Sequence, residues 1–270
     1  MNNKYKFTLE SIGEITISGF SEAGYKTGYL IEPFNIYLDA GVDNTIPANL
    51  ILLSHGHYDH LNALYSLLIN SNKCTVMLDN NLLLFTQNML NSFSSLNSDK
   101  NIIYNNWNPI TLPNYNFILS KNQEFYITTF YLNHRVKCRA YGIKMMKNKL
   151  KQEYSNHNSN ELKELKKTIN IIEKKEYPLV LFVSDTNYNG ILLLPFNEYK
   201  IVIMECTFFD PEHYLEAIER MHLHWDDIKN IIKLYPDITF ILGHISSRYK
   251  SRMTEINEKV KNECSNVIVI

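Results

Sequence analysis

The motif His55-Gly56-His57-Tyr58-Asp59-His60 constrains this chain more than any other feature of its sequence. It directly follows an apolar run at 49–53 and directly precedes an amphipathic run at 61–69. The first run is typical of a strand buried on both faces, and the second is typical of a helix. Three imidazoles and one carboxylate held between a strand and a helix offer most of the ligands for two divalent ions. The alternative interpretation is a surface loop that happens to be rich in histidine.

Three further residues with ligand chemistry follow predicted strands elsewhere in the chain. His134 follows the strand that ends at Tyr131, Asp185 follows the run 179–184, and His244 follows the run 238–243. Each one alone is weak evidence, because a single Asp or His at a strand end commonly has a turn or structural role. A centre with two ions needs about seven ligands, one of them a carboxylate that can bridge both ions. We therefore expect seven side chains to converge: His55, His57, Asp59, His60, His134, Asp185 and His244.

The rest of the pattern predicts an α/β chain with two sheet layers and helices on the outside. Strands are predicted at 14–18, 27–31, 34–39, 50–53, 74–78, 125–131, 179–184, 199–204 and 238–243. Helices are predicted at 80–93 and 226–235, besides the one that follows the motif. Since the sequence contains no internal repeat and no linker, we expect a single domain, 1–270.

Composition narrows the class of protein. The net charge of −1 gives no global sign of a nucleic-acid partner, so a phosphate-rich substrate would need a local basic patch. The four cysteines lie far apart without a CxxC pair, which argues against a disulfide framework and a Cys-type zinc finger. Reduced thiols, no signal-peptide core in the first six residues and no membrane-length apolar stretch predict an intracellular, cytoplasmic protein without a membrane partner.

Residues 144–176 differ in composition and form a predicted insertion rich in Lys, Glu and Asn. Four of its lysines occur without an acid among them: Lys144, Lys147, Lys149 and Lys151. Two interpretations remain open. The segment is a solvated insertion with a surface helix from Glu161 to Ile172, or it grips the substrate through Lys147, Lys149 and Lys151.

The ligand order HxHxDH, His, Asp, His resembles the metallo-β-lactamase superfamily. Four other segments are similar to its ribonuclease Z branch: Val183–Thr186, Met204–Phe208, Met221–His224 and Gly243–Tyr249. The segments 23–27 and 39–41 look like the short form of that branch. The resemblance covers nearly the whole chain and implies an αββα sandwich of two mixed β-sheets with two Zn²⁺ ions between the sheets, or Mn²⁺ in their place, and a homodimer. Met221 and Ala140 depart from glycines of the family, and 144–176 stands where the family has a tRNA-gripping arm but is short and lacks a Gly-Pro tip.

The resemblance implies a zinc-dependent endoribonuclease that cleaves 3′ trailers from precursor tRNA and leaves a 3′-hydroxyl. One ion would be held by His55, His57 and His134, the other by Asp59, His60 and His244, with Asp185 bridging them. Such ions would make hydroxide available near neutral pH, and Asp59 would orient or deprotonate the attacking water. His222, positioned by Glu205, would protonate the leaving oxygen. Arg248 would clamp a phosphate or brace the fold.

Other functions remain open on the sequence alone. The same site would hydrolyse cyclic nucleotides or other small phosphodiesters, which fits the near-neutral charge. A non-catalytic, metal-stabilised binding protein is a further alternative, although a degenerate copy usually loses some of its ligands. β-Lactam hydrolysis is less favoured, because an acid pair made of Glu and His suits an alkoxide leaving group.

Overall fold

The computed structural model describes residues 3–270, so the first two residues of the predicted domain and of its N-terminal segment lie outside the described residues. A first seven-stranded sheet follows the order of the chain. Its strands are β1 (Asn3–Leu9), β2 (Gly13–Glu22), β3 (Lys26–Glu32), β4 (Ile36–Leu38), β5 (Leu50–Leu52), β6 (Cys74–Met77) and β7 (Trp107–Ile110). Strands β1 to β4 pair antiparallel, and β4 to β7 pair parallel.

A second seven-stranded sheet repeats this arrangement. Its strands are β8 (Asn114–Ser120), β9 (Gln123–Leu132), β10 (Cys138–Leu150), β11 (Ile172–Val183), β12 (Ile201–Glu205), β13 (Thr239–Gly243) and β14 (Val267–Val269). Strands β8 to β11 pair antiparallel, and β11 to β14 pair parallel. Both sheets are therefore mixed, as the family resemblance implied.

Helices lie outside the two sheets, and some of them cover an outer sheet face. They are α1 (Tyr58–Leu61), α2 (Leu64–Ile69), α3 (Asn80–Ser98), α4 (Ser159–Thr168), α5 (Tyr214–Arg220), α6 (Trp225–Leu234) and α7 (Met253–Glu263). Short 3-10 turns occupy 152–154, 188–190, 196–198, 211–213 and 247–252. Within residues 3–270, no helix is both long enough and apolar enough to cross a membrane.

Three apolar clusters hold these layers together. Leu64 of α2 and Leu90 of α3 pack on the outside of the first sheet. Trp225 of α6 packs with α7 on the outside of the second sheet. Between the sheets, Ile31 and Phe182 belong to one buried cluster with side chains from both. Each such side chain contributes roughly 1.5–3 kcal/mol on burial, and the order helix, sheet, sheet, helix confirms the predicted α/β sandwich.

The Lys-rich segment 144–176 consists mainly of paired strands. After an irregularity between Ile143 and Lys144, strands β10 and β11 pair out to Leu150 and Ile172, so most of this segment is a long β-hairpin. The helix predicted from Glu161 to Ile172 is wrong in its bounds: α4 ends at Thr168, and Ile172 begins β11. The lysines also have acidic neighbours that the linear sequence hides, because Lys144 bonds Glu176 on the paired strand at 3.1 Å.

The strands that carry candidate site residues end at one edge of the two sheets. Strands β11, β12 and β13 are parallel, and β9 runs in the same direction as β11 because both are antiparallel to β10. In the first sheet, β4 and β5 are parallel as well. Side chains that follow the carboxyl ends of parallel strands meet at the same edge of a sheet, where α/β proteins build their sites.

Candidate metal centre

The HxHxDH motif lies in the loop after β5 and in the short helix α1, which carries Asp59 and His60. The segment after β4 holds this helix by its backbone. Ala40 donates its N–H to the carbonyl of His60 at 2.7 Å, and the next residue, Gly41, lies so close that a Cβ would meet the Asp59 carbonyl oxygen at 1.7 Å. Only glycine can lie this close to the Asp59 backbone. The backbone at 40–41 therefore positions Asp59 and His60.

Seven potential ligands form two adjacent sets. The ligand atoms within each set lie within 4.8 Å of one another: His55, His57, His134 and Asp185 in one set, and Asp59, His60 and His244 in the other. The motif after β5 of the first sheet is thus joined by residues that follow β9, β11 and β13 of the second sheet. All seven ligands predicted from the sequence come together.

The Asp185 carboxylate stands between the two sets with one oxygen towards each. Its Oδ2 is 3.6 Å from His55 Nε2 and 3.7 Å from His134 Nε2. Its Oδ1 is 3.5 Å from His60 Nε2 and 3.4 Å from His244 Nε2. A carboxylate with this orientation can give one oxygen to each of two ions.

The spacing of these atoms fits divalent cations. Four ligands at about 2.0–2.1 Å from a tetrahedral zinc lie about 3.3–3.4 Å from each other, close to the separations around Asp185. In addition, His55 Nε2 and Asp185 Oδ1 are buried and lack a hydrogen-bond partner among residues 3–270. Buried polar atoms without partners are costly unless something coordinates them. The cluster is therefore compatible with a dinuclear metal site, whatever the metal.

Hydrogen bonds behind the cluster set the protonation of the imidazoles. Nδ1 of His55 donates to Ser54 Oγ at 2.9 Å, and Nδ1 of His134 donates to the Met221 carbonyl at 3.1 Å. A ring that donates through Nδ1 presents an unprotonated Nε2 to an ion. His57 is the exception, since its Nδ1 faces His134 at 3.4 Å.

The two sets differ in how readily their imidazoles lose a proton. Burial lowers the pKa of His55, His57 and His134, so the first set is in the neutral form that binds metal. Burial also acts to lower the pKa of His60, but Asp185 and Asp39 outweigh it and raise that pKa well above its ordinary value. An ion that binds the second set therefore displaces a proton.

Asp39 is a site residue that the sequence analysis did not assign. It is fully buried at the end of β4, with a left-handed backbone at φ 58°. Its carboxylate accepts hydrogen bonds from Ser54 N at 2.7 Å, Ser54 Oγ at 2.8 Å and His60 Nδ1 at 2.7 Å. The carboxylate thus orients both ends of the ligand motif, and its position directly after a strand was the available signal.

Glu205 and His222 form a pair beside the second set. His222 donates through Nδ1 to Glu205 Oε1 at 2.9 Å, and its ring stacks on that of His244 with centroids 5.2 Å apart. Burial lowers the pKa of His222, but the Glu205 carboxylate outweighs burial and raises that pKa to about 9. His224, the neighbouring histidine, has both ring nitrogens occupied by backbone groups of Asp210 and Asp226.

A cavity of about 490 Å³ opens onto this cluster. His57, Asp185 and His222 line it, together with Arg248 and Arg220. Arg248, predicted as a phosphate clamp, does reach the cavity, where it also forms a two-pronged ion pair with Glu216 at 2.7 and 2.8 Å. Arg220 was not predicted, because nothing in the linear sequence distinguishes it from other helix arginines.

The structure does not bring the predicted substrate-binding lysines to the cavity. Cys138, at the start of β10, contacts His55, whereas Lys147 lies nine residues farther along the same strand. At 3.3–3.4 Å per residue this separation is about 30 Å. Lys149 and Lys151 lie still farther along the chain, so none of the three can touch a phosphate bound at the metal cluster.

Comparisons with known proteins agree with this geometry. No protein-family model matches the chain. The tRNase Z TRZ1 of Arabidopsis thaliana is 24% identical over 251 residues, which cover 88% of this chain and 88% of that protein. The metallo-β-lactamase fold protein YhfI of Bacillus subtilis matches with a TM-score of 0.60 at 16% identity, over 95% of both chains. The short form of human tRNase Z matches with a TM-score of 0.56 at 13% identity, over 94% of this chain and 95% of that one. The chain therefore has the metallo-β-lactamase fold, and over most of its length its sequence is similar to that of a tRNase Z.

Proposed function

We propose that the protein is a metal-dependent endoribonuclease that cleaves the 3′ trailer from precursor tRNA and leaves a 3′-hydroxyl on the tRNA. The observation that carries this proposal is the Asp185 carboxylate between two ligand sets, with the Glu205–His222 pair in the same cavity. The similarity to the Arabidopsis tRNase Z supports tRNA as the substrate.

We propose Zn²⁺ as the metal in both sets, with Mn²⁺ as the alternative, because neutral imidazole and carboxylate ligands suit Zn²⁺. The residues that would hold the ions are His55, His57 and His134 in one set, Asp59, His60 and His244 in the other, and Asp185 between them. When bound, two such ions supply hydroxide near neutral pH and offset negative charge on the phosphate.

The protein's own residues would position the reactants and move protons. Asp59 is fixed by a hydrogen bond from the Gly24 amide to its Oδ2 at 2.9 Å and would orient or deprotonate the attacking water. Cleavage that leaves a 3′-hydroxyl expels an alkoxide, which needs a proton. His222 would donate it from Nε2, because Glu205 accepts a hydrogen bond from its Nδ1. Arg248 would hold a substrate phosphate through the donors that Glu216 leaves free.

Further properties belong to the same proposal. We propose that residues 1–270 are one hydrolase domain, with the hairpin 144–176 as its extension. Lys147, Lys149 and Lys151 would contact a distant part of a tRNA, since they lie too far away to touch the scissile phosphate. We also propose a homodimer and an intracellular, cytoplasmic location, the latter because all four cysteines are free thiols.

Hydrolysis of cyclic nucleotides is the second candidate. A cavity of about 490 Å³ suits a small ligand, and the remote lysines would be unnecessary for one. The two candidates share the ligand sets and differ in whether the substrate extends beyond the cavity. A non-catalytic, metal-stabilised protein would keep the ligands without turnover.

Incubation of the metal-loaded protein with precursor tRNA and, separately, with cyclic AMP tests the proposal. We expect tRNA with a 3′-hydroxyl and a trailer with a 5′-phosphate by end-group analysis, and two ions per chain by elemental analysis. Asp185→Asn should abolish cleavage, whereas Asp237→Asn, an exposed aspartate, should not. Turnover of cyclic AMP alone would replace the proposal by the second candidate. Two bound ions without any turnover would favour the non-catalytic, metal-stabilised protein.

A further inference from the structure

Arg220 and Arg248 share a single carboxylate at the wall of the cavity. Glu216 Oε1 is 2.8 Å from Arg220 Nε and 2.8 Å from Arg248 Nη2, and its Oε2 is 2.7 Å from Arg248 Nη1. Both arginines line the cavity that holds Asp185. Two guanidinium charges against one carboxylate leave a net positive charge there.

Spare hydrogen-bond donors remain on both side chains. Each terminal nitrogen of Arg248 carries two N–H groups and gives one to Glu216. Among residues 3–270, Glu216 is the one acidic partner of Arg220, whose side chain remains 56% exposed. The carboxylate therefore aligns the two guanidinium groups and leaves donors for an anion.

The fold places both arginines on the His222 side of the cluster. Arg220 ends α5, and Met221, in a left-handed backbone at φ 60°, turns the chain directly into His222. Arg248 is held by Ser246 Oγ at 3.1 Å and lies over the Phe208 ring at 5.1 Å. That ring is 6.5 Å from the imidazole of His222.

We infer that Arg220 and Arg248 form a second phosphate-binding site, which takes the phosphate on the 5′ side of the nucleotide that carries the leaving 3′ oxygen. The inference rests on the proposed function. If His222 protonates the leaving oxygen, the strand upstream of the cut passes on the His222 side, and its next charge is that phosphate. Paired guanidinium groups recognise phosphate oxygens with two-pronged hydrogen bonds. A cyclic nucleotide has no second phosphate, so this site favours RNA chains over cyclic nucleotides.

Precursor tRNAs with one neutral methylphosphonate test the site. In one substrate the neutral group replaces the upstream phosphate, on the 5′ side of the nucleotide that carries the leaving 3′ oxygen. In the other substrate it replaces the next phosphate downstream of the cut. On unmodified RNA we expect Arg220→Ala to lower kcat/KM roughly ten- to hundredfold, the range for a hydrogen bond to a charged group. With the upstream methylphosphonate, kcat/KM of wild type should fall by a similar factor, and kcat/KM of Arg220→Ala should not fall further.

A second readout does not depend on turnover. The dissociation constant of each RNA is measured by fluorescence anisotropy in the presence of EDTA. Arg220→Ala should bind unmodified RNA more weakly than wild type does, and the two proteins should bind the upstream methylphosphonate RNA equally. Arg252→Ala is the matched control, because Arg252 is an exposed, ion-paired arginine that does not line the cavity. Its effects should stay within twofold. Arg220→Lys, which keeps the charge but loses the two-pronged hydrogen bonds, should have an affinity between those of wild type and Arg220→Ala.

Two results would overturn the inference. One is a loss in Arg220→Ala that is equally large on the upstream methylphosphonate. The other is a loss that disappears only on the downstream methylphosphonate, which would assign the arginines to the other phosphate. Failure of wild type to cleave unmodified precursor tRNA would instead remove the proposed function itself, so the two failures are distinguishable.

Discussion

At the scale of single residues, His222 has the contacts that a proton donor needs. Glu205 fixes one ring nitrogen, and only 15% of the side chain is exposed, at the wall of the cavity. A relay also links this pair to the metal ligands: His244 donates to Thr207 Oγ1 at 3.1 Å, and Thr207 donates to Glu205 Oε2 at 2.6 Å. A change at His222 is therefore best tested with substrates that differ in their need for a proton.

Replacement of His222 by alanine should slow RNA cleavage about 10²- to 10⁴-fold, the usual contribution of a positioned acid. Hydrolysis of bis(p-nitrophenyl) phosphate should stay near the wild-type rate, because its leaving group departs without a proton. Steady-state kinetics on both substrates make the comparison, with His157→Ala, an exposed histidine, as the control. An equal loss on both substrates would assign His222 a structural role.

Asp39→Asn should weaken metal binding more than it weakens the fold. The carboxylate orients His60, and loss of such a partner typically costs about 10–100-fold in metal affinity. We expect one of two ions to bind more weakly in a competition with a chromophoric chelator. Asp43→Asn, an exposed aspartate after the same strand, should leave both affinities unchanged. Unchanged affinities in Asp39→Asn would limit Asp39 to a role in folding.

At the scale of elements, Asp79 joins α3 to β10. It is the N-cap of α3, where its Oδ1 accepts from the Asn81 amide at 3.0 Å, and its Oδ2 accepts from Arg139 Nε of β10 at 2.8 Å. Burial raises the pKa of Asp79, but the Asn81 amide and Arg139 outweigh burial, so the net shift is downward. The ionised carboxylate therefore stabilises the folded chain.

This link predicts an acid-sensitive part of the stability. Since the folded-state pKa lies below the unfolded one, the contribution is complete above the unfolded value and is lost as pH falls through the folded one. Asp79→Asn should lower the free energy of unfolding by roughly 1–3 kcal/mol at neutral pH and by much less in acid. Urea titrations of metal-free protein at several pH values measure it. Asp99→Asn, exposed at the other end of α3, should follow wild type; a pH-independent deficit in Asp79→Asn would contradict the argument.

The sequence predicted the site residues that directly follow buried strands, but it missed the hairpin, which depends on strand pairing. Asp185 and His244 were identifiable because an apolar run precedes each, and an apolar run marks a buried strand. Asp39 follows a strand in the same way, but the predicted strand 34–39 included it, which hid the change from apolar to polar. The hairpin was missed because Lys144 meets its acidic partners, Glu176 on β11 and Glu198, only in the folded chain, and no linear pattern records them.

The hairpin supports a prediction about substrate length. A variant with Lys147, Lys149 and Lys151 replaced by glutamine should bind full precursor tRNA more weakly, since each lost phosphate contact removes electrostatic attraction. Its kcat/KM on a short oligonucleotide should equal that of wild type, because the lysines lie about 30 Å from the metal cluster along β10. Three substitutions on the exposed helix α4, Lys163, Lys166 and Lys167 to glutamine, serve as the charge-matched control. Equal binding of tRNA by the first variant and wild type would favour a solvated insertion.

At the scale of the whole molecule, the candidate metal centre connects the two sheets. The loop after the first sheet's β5 provides His55, His57, Asp59 and His60, and the second sheet provides His134, Asp185 and His244. Bound ions would therefore add a cross-link at the edge where the sheets meet, in addition to the apolar cluster between them. An ion that binds only the folded chain stabilises it by mass action.

Removal of the ions should accordingly lower the melting temperature. At one hundred times its Kd, each ion adds about 2.7 kcal/mol, and 1 kcal/mol shifts the melting temperature of a large domain by roughly 2–4 °C. Calorimetry with and without EDTA should show a shift of about 5–10 °C per ion in wild type. Asp185→Asn should show a smaller shift. Identical melting with and without EDTA would mean that the ions do not brace the sheets.

The distribution of ligands along the chain also dictates when a nascent polypeptide acquires its chemistry. His55 is synthesised before the ligands of the second sheet, and the second set stays incomplete until His244 has been added. A nonsense codon anywhere before that position would leave a fragment with no more than one full set of ligands. Such truncated products would lack a complete pair of ligand sets, so the order of the segments itself delays assembly of the site until His244 has been made.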